Sequence, residues 1–255
     1  MLRNTLKNRL KAGEVVYGTM LQEMVNPTAA QIFKRAGFDF FMIDCEHGPY
    51  DQGTVREILR VGRLEEICPL VRIRNLDYSL AAGFLDAGAM GLMLPRVEKV
   101  SDTETLVSYM KYPPTGVRGL SSDAPHSDYR FGDLAEFIEV QNQDTLVIAQ
   151  IERKIAVENL EEILSVNGVD VALIGPEDLS LSYGMPGQTT HPDVVGAIQR
   201  VIDVCSSLGV APGIHMGNLD RLKEWREKGM RMIMYNSDLG FLFEGAESGV
   251  QTLKG

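Results

Sequence analysis

The chain has 255 residues, 44% of them apolar and 24% charged, enough for one large core or two small ones. Its net charge of −10 excludes a binder of phosphate backbones, which needs a basic surface, and no apolar run reaches the roughly 20 residues of a membrane span. Cys45, Cys68 and Cys205 are odd in number and form no CxxC pair, which predicts a reducing, cytoplasmic compartment.

In chain order, MLRNTLKNRLKAGE at the N-terminus has the pattern of an amphipathic helix and lacks the apolar core of a signal peptide. Eight short apolar runs follow: Val15–Met20, Phe38–Ile43, Pro69–Ile73, Gly91–Leu94, Leu146–Ile151, Val169–Ile174, Ala211–Ile214 and Met230–Tyr235. They show little polar alternation, as expected of strands covered on both faces of a parallel sheet. Helical patterns lie between them, at Pro27–Ala36, Val55–Leu64, Ser101–Met110, Val157–Leu164, Val194–Ser207 and Leu219–Lys228. Gly37, Gly209 and Gly229 each stand where a helix stops before the next strand, the usual place for a left-handed cap. No Pro/Ser-rich linker interrupts the order, which predicts one domain over residues 1–255. The fold class is therefore α/β, and eight strand–helix alternations predict a (β/α)8 TIM barrel. A doubly wound open sheet is the rival, but neither GxGxxG nor GxxxxGK[ST] occurs. The stretch Tyr112–Phe131 is irregular, and a loop of that length inside a compact domain is usually functional.

A barrel of this kind carries its active site at the C-terminal strand ends. Those ends collect Asp44, Glu46 and His47 after the second run, Arg72 and Arg74 at the third, and Gln150 and Glu152 at the fifth. Glu177 and Asp178 follow the sixth, and His215 follows the seventh. Two carboxylates on neighbouring strands can hold a hard divalent cation, Mg²⁺ or Mn²⁺, with positions left open, and such a site polarises a carbonyl. Glu152 and Asp178 are the candidate ligands. Against this, Glu152 could pair with Arg153 or Lys154, and Asp178 could simply sit in the first turn of a helix opened by Gly175-Pro176. The same helix start would offer backbone N–H groups to a substrate carboxylate.

His47 is the candidate general acid/base, with an ordinary surface loop histidine as the alternative. Arg72 could bind a carboxylate or a developing enolate oxygen, or pair structurally with Asp44 or Glu46. Arg74 shares its orientation by period. Asp86, near a helix C-terminus where the dipole disfavours an acid, reads as an exposed helix residue or one with a specific partner. His191-Pro192 reads as a helix entry, and His126, in the irregular loop, could reach a neighbouring subunit.

These segments resemble the HpcH/HpaI aldolases, the metal-dependent class II 2-oxo-acid aldolases of the pyruvate/phosphoenolpyruvate barrel superfamily. The resemblance runs through Ile43-Asp44-Cys45-Glu46-His47-Gly48-Pro49, Leu70-Val71-Arg72, Leu85-Asp86-Ala87-Gly88, Tyr112-Pro113-Pro114-Thr115-Gly116-Val117-Arg118-Gly119, Gln150-Ile151-Glu152 and Ile174-Gly175-Pro176-Glu177-Asp178-Leu179-Ser180. It implies cleavage of a 4-hydroxy-2-oxo acid or a 2-keto-3-deoxy sugar acid to pyruvate and an aldehyde. Glu152 and Asp178 would hold Mg²⁺ or Mn²⁺, with Co²⁺ as an alternative, and Gln150 would line the pocket. Arg72 would contact the keto oxygen and its enolate, and His47 would transfer the proton. Asp86 would orient that histidine across a subunit contact, and Gly175, Pro176, Glu177 and Asp178 would cradle the carboxylate. The resemblance also implies a homo-oligomer, a hexamer built as a trimer of dimers, with the helix Asp238–Leu253 exchanged between neighbours.

Cys45 and Glu177 depart from the family's usual residues, and Met20, Met216 and Phe241 lie in strand-end loops where acceptor contacts are expected. Two other readings stand beside this one. A lyase on a CoA thioester would need an extended basic site, of which the sequence shows little. A barrel that binds a 2-oxo acid without catalysis would show broken site chemistry, whereas Glu152, Asp178, Arg72 and His47 are all present.

Overall fold

The computed structural model describes residues 3–130 and 132–255. Met1, Leu2 and Phe131, at the edges of the predicted N-terminal helix and of the long loop, lie outside the described residues. Eight parallel strands close into a barrel in sequence order. They are β1 (Val16–Leu21), β2 (Phe40–Asp44), β3 (Cys68–Arg72), β4 (Gly91–Leu94), β5 (Leu146–Ile151), β6 (Val171–Ile174), β7 (Ala211–Met216) and β8 (Met232–Ser237). β8 closes the ring against β1, with Val16 opposite Met232. Helices follow the strands on the outside, so the predicted (β/α)8 barrel is the observed fold.

Period-2 alternation divides each strand between two apolar layers. Phe40, Met42, Leu70, Ile148, Leu173 and Met234 fill the barrel interior. Phe41, Ile43, Val71, Val147, Ile174 and Ile214 face the helices. The inward positions turn polar only at the C-terminal strand ends, at Asp44, Arg72, Gln150 and His215. Small residues let the interior close: a Cβ on Gly91 would lie 2.5 Å from the Leu146 carbonyl oxygen.

The structure corrects several details. Val157–Leu164 is two short helices, Lys154–Glu158 and Leu160–Leu164. Asp86 ends the helix Tyr78–Asp86, as expected of it, whereas the helix Leu134–Asp144 is not among the predicted ones. Within the long loop, Pro125–Ser127 forms a single 3₁₀ turn. That loop leaves the end of the helix Val100–Met110, which returns the chain to the N-terminal face of the barrel, so it lies away from the catalytic rim of its own chain. His126 is buried there, with Nδ1 3.3 Å from the Asp86 carbonyl oxygen and Nε2 3.4 Å from the Tyr112 hydroxyl. Burial pushes its imidazole down to about 4. It is therefore packed within its own chain and does not reach outward.

Two buried lysines stand at the N-terminal face. Lys111 Nζ donates to the carbonyl oxygens of Asn142 and Thr145, each at 2.7 Å. Lys7 Nζ donates to the same Thr145 oxygen at 3.0 Å and pairs with Asp170 at 2.9 Å. Burial, and next the neighbouring Lys7, push Lys111 from 10.5 down to about 7, with Asp170 opposing. The unfolded chain then binds more protons than the folded one between about pH 7 and 10.5, so this group's contribution to stability rises with pH across that window. The expected result is a melting temperature that climbs from pH 7 to 10 in the native chain relative to Lys111→Met; parallel pH profiles for the two would contradict it.

Candidate active site

The sharp turn after β2 is organised by Asp44. Its Oδ1 accepts the backbone N–H groups of Glu46 (3.1 Å) and His47 (3.2 Å). Asp44 stands opposite Arg72 in the parallel register, and both point inward. The guanidinium forks onto it, Nε to Oδ1 at 2.9 Å and Nη2 to Oδ2 at 2.6 Å. Burial alone would push the Asp44 carboxyl up, but Arg72 and the two amides outweigh it and hold it below the usual carboxylate value. Burial likewise opposes the Arg72 charge, and Asp44, Glu46 and Glu152 override it. The structural ion pair read for Arg72 is present: it is forked onto Asp44, and its Nη1 also faces Glu46 at 3.3 Å.

Glu46, His47, Glu152 and Asp178 line one cavity of about 360 Å³ at the C-terminal rim, with Arg96 and Arg153 on its outer wall. Glu152 is 2% exposed. Its Oε1 accepts the Arg96 backbone N–H at 2.8 Å, and its Oε2 accepts from Gln150 Nε2. Burial first, then the charges of Asp178 and Glu46, push the Glu152 carboxyl up to about 7 against the opposing Arg96 amide and Arg72. Gln150 Oε1 is buried with no hydrogen-bond partner. A Cβ on Gly175 would lie 3.0 Å from Glu152 Oε2 and 3.2 Å from Gln150 Nε2, so a side chain there would crowd both groups.

These features fit a divalent cation. Clustered carboxylates that repel one another, an unsatisfied amide oxygen and an uncovered cradle suit a hard ion that takes oxygen ligands. Among the described residues no group of three or more His, Cys, Asp or Glu side chains is arranged for a metal. Two carboxylates with the other positions left to water and substrate match the habit of Mg²⁺.

The His47 side chain is 69% exposed at the cavity mouth, with Nε2 3.7 Å from Glu46 Oε2. Pro176 and Asp178 open the helix Pro176–Ser182, whose N-cap is Gly175. Glu177 is exposed and does not line the cavity.

Other sequence expectations fall elsewhere. Arg74 donates to the carbonyl oxygens of Cys45 (2.5 Å) and Tyr50 (3.1 Å), bracing the loop after β2. His215 is half-buried, with Nε2 3.0 Å from the Asn236 carbonyl oxygen. Met20 lies in the barrel interior, Met216 in the layer under the helices, and Phe241 against the rings of Phe38 and Tyr235. None of the three lines the cavity. Cys45 is buried and points to the helices, and burial pushes its thiol up to about 12. Asp86 ends the helix Tyr78–Asp86 on the N-terminal side of the barrel, where Arg118 Nη2 donates to it at 2.6 Å. It is not brought to His47 within the chain.

Arg96 was not anticipated from the sequence. It follows Pro95 at the exit of β4 with φ +50, and nothing in the local pattern marks that turn.

Residues 20–244 match the family model described as HpcH/HpaI aldolase/citrate lyase. The 4-hydroxy-2-oxo-heptane-1,7-dioate aldolase of Salmonella typhimurium is 34% identical over 247 residues, covering 97% of this chain and 93% of that protein. The solved structure of an HpcH/HpaI aldolase from Desulfitobacterium hafniense superposes with a TM-score of 0.94 at 34% identity, over 98% of this chain and 96% of the other. An HpcH/HpaI aldolase/citrate lyase family protein from Burkholderia cenocepacia gives a TM-score of 0.92 at 32% identity, over 99% and 100%.

Proposed function

The chain belongs to the HpcH/HpaI aldolase/citrate lyase family, and we propose that it is a divalent-metal-dependent aldolase. It cleaves a 4-hydroxy-2-oxo acid, or a 2-keto-3-deoxy sugar acid, to pyruvate and an aldehyde, and runs the reverse addition. The observation that carries the metal reading is the buried Glu152, raised to about 7 beside Asp178 and Glu46, under the uncrowded Gly175.

Glu152 and Asp178 are the residues that would hold Mg²⁺ or Mn²⁺, with Co²⁺ as an alternative. Bound there, the cation supplies Lewis-acid polarisation of the 2-keto group. Arg72 carries the remaining charge work: a fixed guanidinium, buried beside Glu46 of the cavity lining, stabilises the oxygen on which negative charge develops as the C3–C4 bond breaks. Asp44 keeps that guanidinium in one orientation. His47, exposed at the mouth, takes the proton of the 4-hydroxyl, and Glu46 holds the imidazole on that side. Gln150 and the backbone from Gly175 to Asp178, including Pro176 and Glu177, bind the 2-oxo acid's carboxylate end.

Asp86 lies on the opposite face of its own barrel, so it could orient a His47 only across a contact between copies of the chain. A homo-oligomer is supported by the terminal helix Asp238–Lys254. Asp238 is its one residue recorded as buried, and Leu242, Phe243 and Leu253 are 68%, 65% and 89% exposed. We assign a hexameric trimer of dimers on the family resemblance. No helix among the described residues is long and apolar enough to cross a membrane.

The test is metal removal. Cleavage of 4-hydroxy-2-oxoheptanedioate, followed as pyruvate release, should vanish after exhaustive chelation and return with Mg²⁺ or Mn²⁺. Cleavage that survives chelation, with borohydride trapping on a lysine, would instead indicate Schiff-base chemistry.

A further inference from the structure

We infer that Arg96 selects acceptor aldehydes that carry a carboxylate of their own, binding that group at the outer wall of the catalytic cavity. The inference rests on the aldolase reading above and adds to it the residue that sets acceptor selectivity.

The two arginines nearest the acid cluster are placed differently. Arg72 is buried behind Glu46, with its side chain 8% exposed, its fork engaged by Asp44 and its Nη1 3.3 Å from Glu46. Arg96 stands further out, with its side chain 60% exposed. Its guanidinium approaches Glu46 Oε1 only at 3.5 Å, through Nε, and makes no hydrogen bond among the described residues. Both Nη groups are left for an incoming anion. An exposed pair at that distance holds a long side chain weakly, so the guanidinium can exchange that contact for a carboxylate without a large cost.

The backbone gives this side chain a fixed origin. Arg96 adopts φ +50, a left-handed conformation uncommon outside glycine. Its own N–H donates to Glu152 Oε1 at 2.8 Å. The residue is thus anchored to a proposed metal ligand, and its side chain runs from there toward solvent along the cavity wall. A substrate whose keto-acid end is held at Glu152, Asp178 and Arg72 would extend its other end past Arg96. Arg153, on the same wall, is 3.4 Å from Glu98 and half-exposed, adding positive charge on that side. The remaining wall positions, Leu181 and Ser182, are uncharged. A guanidinium favours carboxylates through paired, charge-assisted hydrogen bonds, whereas an alkyl or hydroxylated aldehyde gives it no anion to bind.

The test compares succinate semialdehyde with butanal, an uncharged aldehyde of the same carbon number, as acceptors for pyruvate in the metal-loaded protein. The variants are Arg96→Gly, which accepts the left-handed backbone and keeps the amide to Glu152, and Arg96→Lys. The native chain should show kcat/KM for the semialdehyde about tenfold or more above that for butanal, the scale of one charge-assisted contact. Arg96→Gly should bring that ratio close to one, Arg96→Lys should retain part of it, and added salt should reduce it in the native chain. Equal kcat/KM for the two aldehydes in the native chain, or a ratio that Arg96→Gly leaves in place, would overturn the assignment. Addition to neither aldehyde would overturn it as well. Proton–deuterium exchange at the pyruvate methyl group of the native enzyme then shows whether the aldolase reading stands without it.

Discussion

Arg72→Ala should lower turnover by roughly two or more orders of magnitude, the scale measured for loss of one oxyanion donor. Arg72 gives the enolate oxygen one buried guanidinium, already oriented by its fork onto Asp44. Water entering the vacated space cannot supply the same fixed charge. The substitution also leaves Asp44 without its cation at a site with no solvent exposure, and breaking such a pair costs about 3–5 kcal/mol. Two losses therefore have to be separated. Arg72→Lys keeps a charge near Asp44 but not the fork, so it should recover most of the stability and only part of the turnover. If Arg72→Ala remained folded and turned over at the native rate, Arg72 would be a structural ion-pair partner alone.

Glu152→Gln should abolish metal-dependent activity and leave the fold intact. The exchange is nearly isosteric but removes one of two anionic ligands, so the loss of metal affinity should exceed the roughly 10–100-fold cost of losing an outer-shell partner. The effect on the metal-free fold has the opposite sign. Burial pushes Glu152 up to about 7, so its ionised form detracts from stability as pH rises from the unfolded value through about 7. At pH 8 without metal, Glu152→Gln should melt no lower than the native chain. With saturating Mn²⁺ the native chain should gain melting temperature and the variant should gain little. A variant that binds Mn²⁺ as tightly as the native protein would remove Glu152 from the ligand set.

The barrel was legible in the sequence because both of its apolar layers write the same signal. Strands covered inside and outside give unbroken apolar runs, and Gly91–Leu94 and Leu146–Ile151 match the observed bounds to the residue. At β6 the run begins two residues early, at Val169, an apolar loop residue that Asp170 separates from the strand. The helix Leu134–Asp144 escaped notice because it has little apolar face: Asp144 is its one residue recorded as buried. Its start was readable in hindsight from Asp133 followed by Glu136, whose N–H the Asp133 carboxylate accepts at 2.8 Å.

The site was legible where one strand end supplies the chemistry. Glu152, Asp178 and His47 reach one cavity because their strands end at the same rim. It was not legible where geometry depends on a turn. His215 and Arg74 sit at strand ends too, yet a carbonyl oxygen occupies each of them. Arg96 enters the site through a left-handed backbone that no residue type there announces. Asp86 has the residue type expected of the site but is carried to the far face by its helix.

The most direct test of the central claim, a metal-supported enolate of pyruvate, is proton–deuterium exchange at the pyruvate methyl group, followed by NMR in D₂O. It needs no choice of aldehyde. The expected result is exchange with Mg²⁺ present, none after chelation, and none in Glu152→Gln. Exchange that continued unchanged after chelation, or none in a native protein shown to bind both Mg²⁺ and pyruvate, would contradict it.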